Sequence, residues 1–133
     1  MRINHLDHLV LTVADPARTI AFYTQVLGME ETTFNGGRKA LSFGTSKINL
    51  HQAGNEFEPK AHRPTPGSAD LCFVADDPLD QIVTELESAG VPIEEGPVTR
   101  TGAVGTIVSV YVRDPDDNLI EISNYTSTTP PHS

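Results

Sequence analysis

The sequence has a single cysteine, Cys72, and only nine lysines and arginines against eighteen acidic residues. No apolar run in it approaches the roughly 20 residues that a membrane-crossing helix requires, so no membrane partner is expected. One cysteine excludes an internal disulfide and agrees with a reducing compartment. The opening Met1-Arg2-Ile3-Asn4-His5 lacks the apolar core of a secretory signal, and a cytoplasmic location is the expectation. Basic residues are few and nowhere clustered, and the net charge is -9. Nucleic acid is therefore excluded as a partner, because phosphate binding needs a concentrated basic surface. An acidic balance favours cationic or neutral ligands, although charge of this size also serves solubility alone. At 133 residues the chain fits one domain able to bury its own core.

What is present is a pattern that occurs twice. Asp7 to Val13 reads as a strand with Leu9, Leu11 and Val13 on one face and His8, Val10 and Thr12 on the other. Asp15-Pro16 then starts a helix, Asp15 as cap and Pro16 at the first position, and the helix runs to a stop at Gly28. Its stripe of Ala17, Ile20, Tyr23, Val26 and Leu27 should face a sheet. Strands follow over 29–34, 39–43 and 47–52, the first two joined by Asn35-Gly36-Gly37. Residues 53–68 are broken by Gly54, Pro59, Pro64, Pro66 and Gly67, and read as a connector or a loop that covers a site. After it the design returns. Asp70 to Val74 is a strand, Asp77-Pro78 a helix start, and Leu79, Ile82, Val83 and Leu86 the apolar stripe of a helix stopped at Gly90. Strands are expected over 91–95, 106–113 and 119–125, with Arg100 in the loop between the first two. Residues 126–133 are expected to form a disordered tail.

The fold class is therefore α+β: two βαβββ modules, half-modules 4–52 and 69–125, within one domain spanning 1–125. Position 8 pairs with 70 and position 49 with 121, offsets of 62 and 72. The ten extra residues should lie in the later strands or turns of the second copy, where insertions are tolerated best. His8, Asn49, Asp70 and Glu121 all lie on the strand face opposite the aliphatic residues, and His51 points the same way as Asn49. A curved mixed sheet would gather them in a central cleft.

His8 followed by Leu-Val-Leu-Thr-Val, the Asp-Pro helix start, Phe22-Tyr23, Leu27-Gly28, and Asp114-Pro115-Asp116 leading to Glu121 resemble the vicinal oxygen chelate superfamily. That superfamily includes glyoxalase I, bleomycin-resistance proteins, fosfomycin-resistance enzymes and extradiol dioxygenases. Lys47 to His51, Glu56 to Lys60, Gly67 to Leu71 and Glu95 to Pro97 look most like its glyoxalase-domain and virulence-associated members. The resemblance implies a divalent metal held at four symmetric positions, with His8, Asp70 and Glu121 as ligands and a fourth contact from either His51 or Asn49. Asn49 stands where glyoxalase I has a glutamate, and Asp70 where most of these enzymes have a histidine. Such hard donors suit manganese, nickel, zinc or magnesium.

The resemblance also implies lyase or isomerase chemistry like that of lactoylglutathione lyase, through an enediolate-type intermediate, with Glu121 as the catalytic proton carrier. Alternatives are a bleomycin-resistance-like binding protein without catalysis and, second, an extradiol-type dioxygenase. The latter would need a second histidine, which only His51 offers. Arg100 and Arg38 are candidates to hold a substrate carboxylate, and Tyr111 and Tyr125 are candidates to line the cleft. The partner is a small molecule, and a homodimer is expected by the same resemblance. Cys72 shares the site face with Asp70, where a buried, inert thiol is expected.

Overall fold

A computed structural model describes residues 1–126, so of the tail expected at 126–133 all but Thr126 lies outside the described residues. The N–H of Thr126 donates to the Thr106 carbonyl at 3.0 Å. The chain forms two compact units, Met1–Ala69 and a second that begins at Asp70.

In the first unit the strands are β1 (His8–Val13), β2 (Glu30–Phe34), β3 (Arg38–Phe43) and β4 (Ser46–Gln52), with α1 (Pro16–Gln25) after β1. They form one sheet in the order β1-β4-β3-β2, parallel only between β1 and β4. Helix α1 starts as its sequence dictates. Asp15 accepts from the N–H groups of Ala17 and Arg18 at 3.0 and 3.5 Å, and Pro16 occupies the first turn, where its missing donor costs nothing. The buried helical face is centred on Thr19 and Tyr23, one turn apart, whereas Ala17 is exposed. The stripe expected from Ala17 thus begins two residues later, at Thr19. Leu11, Val13, Leu41, Ile48 and Leu50 complete this core, each worth roughly 1.5–3 kcal/mol on full burial of a Val, Leu or Ile side chain. Asn35 (φ 44°) and Gly36 (φ 75°) turn the β2–β3 hairpin through left-handed positions that Asn and Gly tolerate best.

The second unit repeats the plan with β5 (Asp70–Val74), α2 (Leu79–Ser88), β6 (Glu95–Thr101), β7 (Thr106–Arg113) and β8 (Leu119–Tyr125). Its sheet order is β5-β8-β7-β6, again with one parallel pair, β5 and β8. Ile82 and Leu86 of α2, with Ile107, Val110, Val112, Ile120 and Ile122, form the core.

Two local expectations are corrected. Pro78 is the cap of α2 rather than its first residue, and no side chain caps that helix, so the second Asp-Pro start only imitates the first. The strand expected at 91–95 lies instead at Glu95–Thr101, which places Arg100 on a strand and not in a loop. β-Branched Val98, Thr99 and Thr101 favour this extended stretch. Pro97 is admitted because β6 is the sheet edge and the ladder slips by one residue between Glu95 and Val98, a bulge at Gly96-Pro97.

The extra length of the second copy is concentrated in one hairpin. Thr32 and its partner Ala40 are separated by eight positions in the first unit, whereas Glu95 and its partner Tyr111 are separated by sixteen. Since Ala40 pairs with Asn49 as Tyr111 pairs with Glu121, these positions correspond. The longer hairpin carries Arg100 and the turn after it.

Candidate functional site

In a strand pair, residues directly opposite each other present side chains to the same face. Register in the first unit therefore puts Val10 beside Asn49 and Thr12 beside His51, with His8 two positions along β1. Leu9, Leu11, Ile48 and Leu50 occupy the reverse face. In the second unit Cys72 stands beside Glu121, and Asp70 lies two positions along β5. Each unit thus presents the same diagonal pair, His8 with Asn49 in one and Asp70 with Glu121 in the other.

In the first unit His8 is exposed, with Nδ1 on the Asp7 carboxylate at 2.7 Å. Asn49 and His51 are buried, only 7% and 2% exposed. Asn49 Oδ1 and His51 Nδ1 are buried atoms without a hydrogen-bond partner. Arg38 donates to His51 Nε2 at 3.4 Å. Because a guanidinium can only donate, Nε2 must be the bare nitrogen and the proton sits on Nδ1. Burial, and after it the Arg38 charge, push the His51 pKa below its ordinary value, against the opposing pull of Glu56 and Glu58. The connector closes over this face. Phe57 packs edge-on against the His51 ring at 5.5 Å between centroids, and the Arg38 guanidinium lies 4.3 Å from the Phe57 ring centre. A cavity of about 320 Å³ lies between Val10, Thr12 and His51 on the sheet and Pro59, Lys60, Ala61 and Pro64 of the connector.

In the second unit Glu121 lines a cavity of about 390 Å³ together with Arg100, Tyr111, Tyr125, Cys72 and the 101–103 stretch of the long hairpin. Four residues singled out in the sequence, Arg100, Tyr111, Glu121 and Tyr125, therefore share one cavity, whereas Arg38 belongs to the other unit. Arg100 Nε donates to the Tyr111 hydroxyl oxygen at 3.0 Å and Nη2 to Glu95 at 3.1 Å. Tyr125 accepts from the N–H of Val104 at 3.3 Å and so ties down the hairpin tip. Gly102 makes room for it, since a Cβ there would meet the Tyr125 hydroxyl at 2.9 Å.

Sequence reasoning missed two residues, Ser109 and Ser123, both fully buried. Ser109 Oγ donates to Glu121 Oε2 at 2.6 Å and stands 2.7 Å from Ser123 Oγ, which is 3.3 Å from Cys72 Sγ. An ionised carboxylate only accepts, so the chain runs one way, thiol to Ser123 to Ser109 to Glu121. The signal was available: both serines lie two positions from a residue already chosen, on the same face. Cys72 corrects another expectation. It is exposed rather than buried, lying at the cavity beside its strand partner Glu121. Partial desolvation, with the nearby carboxylates, holds its pKa up.

Among the described residues no three His, Cys, Asp or Glu side chains stand as a group able to hold a metal ion. Each unit carries two of the four positions expected as ligands. The donors fit a hard or borderline divalent cation in kind, being carboxylate, imidazole and an amide oxygen left without a partner.

The chain is 62% identical over 125 residues to virulence protein STM3117 of Salmonella typhimurium, covering 94% of this chain and 87% of that one. It is 58% identical over 125 residues to the glyoxalase domain-containing protein RDO1 of Mycosarcoma maydis, covering 94% and 70%. The crystal structure of the Salmonella protein superposes with a TM-score of 0.94 at 61% identity, over 95% of this chain and all of that one. More distant folds include lactoylglutathione lyase from Agrobacterium tumefaciens, at 25% identity, TM-score 0.71 and coverage of 92% and 95%. Another is the fosfomycin resistance protein FosX of Listeria monocytogenes, solved with Mn(II) and a dihydroxypropylphosphonic acid, at 22% identity, TM-score 0.64 and coverage of 95% and 94%. A family model matches residues 5–122, and the chain belongs to the Glyoxalase/Bleomycin resistance protein/Dioxygenase superfamily.

Proposed function

We propose that the protein is a metal-dependent lyase or isomerase acting on a small oxygen-bearing substrate in the cavity of the second unit. The observation that carries this reading is Glu121, a carboxylate held by a buried serine at 2.6 Å while it lines a cavity beside Tyr111. The Ser109 bond fixes one carboxylate oxygen and leaves the other for a ligand, as a proton carrier or metal ligand requires. Tyr111 is the register partner of Glu121. Its hydroxyl oxygen accepts from Arg100, which directs its own O–H elsewhere, so that a proton donor stands next to a proton acceptor. Substrate protonated at one oxygen and deprotonated at a neighbouring carbon is the event such a pair serves.

His8, Asp70 and Glu121 would hold the cation. Asn49 is a better fourth donor than His51. The amide oxygen is without a partner, whereas His51 Nε2 faces a guanidinium whose charge repels a cation. When bound, a divalent cation supplies Lewis-acid stabilisation of charge developing on substrate oxygen. Manganese, nickel, zinc and magnesium are the candidate ions. A homodimer and a cytoplasmic location belong to this reading; no helix among the described residues is long and apolar enough to cross a membrane.

Elemental analysis of protein purified without chelator is the direct test, joined to manganese titration of the wild type and Glu121→Gln. Stoichiometric metal in the native protein, and an affinity reduced tenfold or more in the variant, are expected. Equal affinity would remove Glu121 from the ligand set, and absence of metal together with no thermal gain on adding manganese, nickel or zinc would leave a binding protein instead.

A further inference from the structure

We propose that Arg38 forms a recess for a small oxyanion in the first unit. The argument starts from a missing counter-charge. A guanidinium has five N–H donors, and the contact made by Arg38 is the one to His51 Nε2. Its Nε is buried with no hydrogen-bond partner. Among the described residues no carboxylate lies within ion-pair distance of it. The acids nearest in sequence on the connector are already engaged: Glu56 accepts from the N–H of Gly54 at 2.9 Å, and Glu58 is paired with Lys60.

The cation is nonetheless held in place. It lies 4.3 Å from the ring centre of Phe57 and 5.3 Å from that of Phe34, and the bare nitrogen of a neutral imidazole receives one of its protons. Partly buried charge without a partner costs free energy, and a chain of net charge -9 offers many carboxylates with which to satisfy it. This guanidinium has none. Arg38 lines a recess of about 210 Å³ together with Phe57, Gln52 and Asn55, volume enough for a phosphate or a short carboxylate. A planar fork fixed by two rings and a histidine is preorganised for bidentate oxyanion binding.

The test is thermal unfolding in EDTA at constant ionic strength, with chloride exchanged for inorganic phosphate or for acetate. Wild-type protein should gain about 3 °C or more in one or both, and Arg38→Gln should gain nothing. Phosphate alone would identify a tetrahedral oxyanion, acetate alone a carboxylate, and both a site that reads charge. An equal gain in the variant, or none in the wild type, overturns the proposal. Should Arg38→Gln fail to fold, nuclear magnetic resonance of the wild type decides. A saturable shift of the Arg38 Nε–H on adding phosphate or acetate supports the recess, and an unmoved resonance in both rejects it. Because the measurement excludes metal and leaves Glu121 intact, its outcome is independent of the reading proposed for the second unit.

Discussion

Ser109 reaches Glu121 across the β7–β8 ladder on the diagonal, while Tyr111 stands directly opposite that carboxylate and Ser123 directly opposite Ser109. Ser109 thus orients the carboxylate from the neighbouring strand, with Ser123 bonded behind it. Ser109→Ala should destabilise the fold by about 1–3 kcal/mol, because it removes a hydrogen bond to a charged group and strips Ser123 of a buried partner. Urea unfolding of the variant measures this. A change below about 0.5 kcal/mol would mean that the carboxylate finds an equal partner in water.

Gly96 is the most closely approached of the glycines compared in the second unit. Its φ is 111°, and a Cβ built there would collide with the Ser109 carbonyl oxygen and lie 2.9 Å from the Val110 Cα, both backbone atoms that cannot yield cheaply. Gly96→Ala should therefore cost more than the roughly 1 kcal/mol of an ordinary positive-φ substitution, on the order of 3 kcal/mol or more. Denaturant midpoints of the two proteins check it, and the altered strand should also disturb Arg100 and its cavity.

His51 makes stability depend on pH with a definite sign. Its folded pKa lies below the ordinary imidazole value of about 6.5, so as pH falls the unfolded chain takes up the proton first. Its contribution is complete above about pH 6.5 and is lost as pH drops from there toward the folded value. His51→Gln cannot titrate, and its stability should be flatter over that interval. Unfolding free energies of both proteins at pH 7.5 and pH 5.5 give the comparison. Parallel curves would show that another group dominates, whereas Glu94, held low by Arg113, acts only in the more acidic carboxylate range.

The turn before β8 rests on a buried pair. Asp114 accepts from the N–H groups of Asp116 and Asn118 through Oδ1, at 2.9 Å each, and from Asn118 Nδ2 through Oδ2 at 2.8 Å. Asp117 takes a positive φ of 65° within it. Asn118→Ala leaves one carboxylate oxygen short of a buried donor, and a loss of roughly 2–3 kcal/mol is expected in calorimetry. Since this turn delivers Glu121 to its place, manganese affinity should fall in the same variant.

Much of this was legible in the residues. The boundaries of β7 and β8 follow from the alternation in Thr106 to Arg113 and Leu119 to Tyr125, and α1 from the pairing of Asp15 with Pro16. Strand β6 was hidden because Gly96 and Pro97 read as turn chemistry, and only edge placement with a bulge makes them compatible with a ladder. The imitation helix start at Asp77-Pro78 misled for a related reason: capping depends on where the aspartate side chain points, which the dipeptide does not specify. Register placed Glu121 and Asn49 on their faces without difficulty, since a period of two leaves no choice. The serine chain and the Arg38 enclosure depend instead on side-chain reach between strands and on a connector with no periodicity, so composition could name Arg38 but not its surroundings.

The doubling in length of the second hairpin relative to the first has a consequence for how the two modules differ in what they can hold. Two copies with the same ladder need not change their central strands to acquire different ligands. It suffices to extend one arm, because the added residues become a wall while the old ones keep the register. Trimming that arm to the span of its twin would be expected to abolish the pocket and spare the fold, which makes it the natural place to alter what this protein selects.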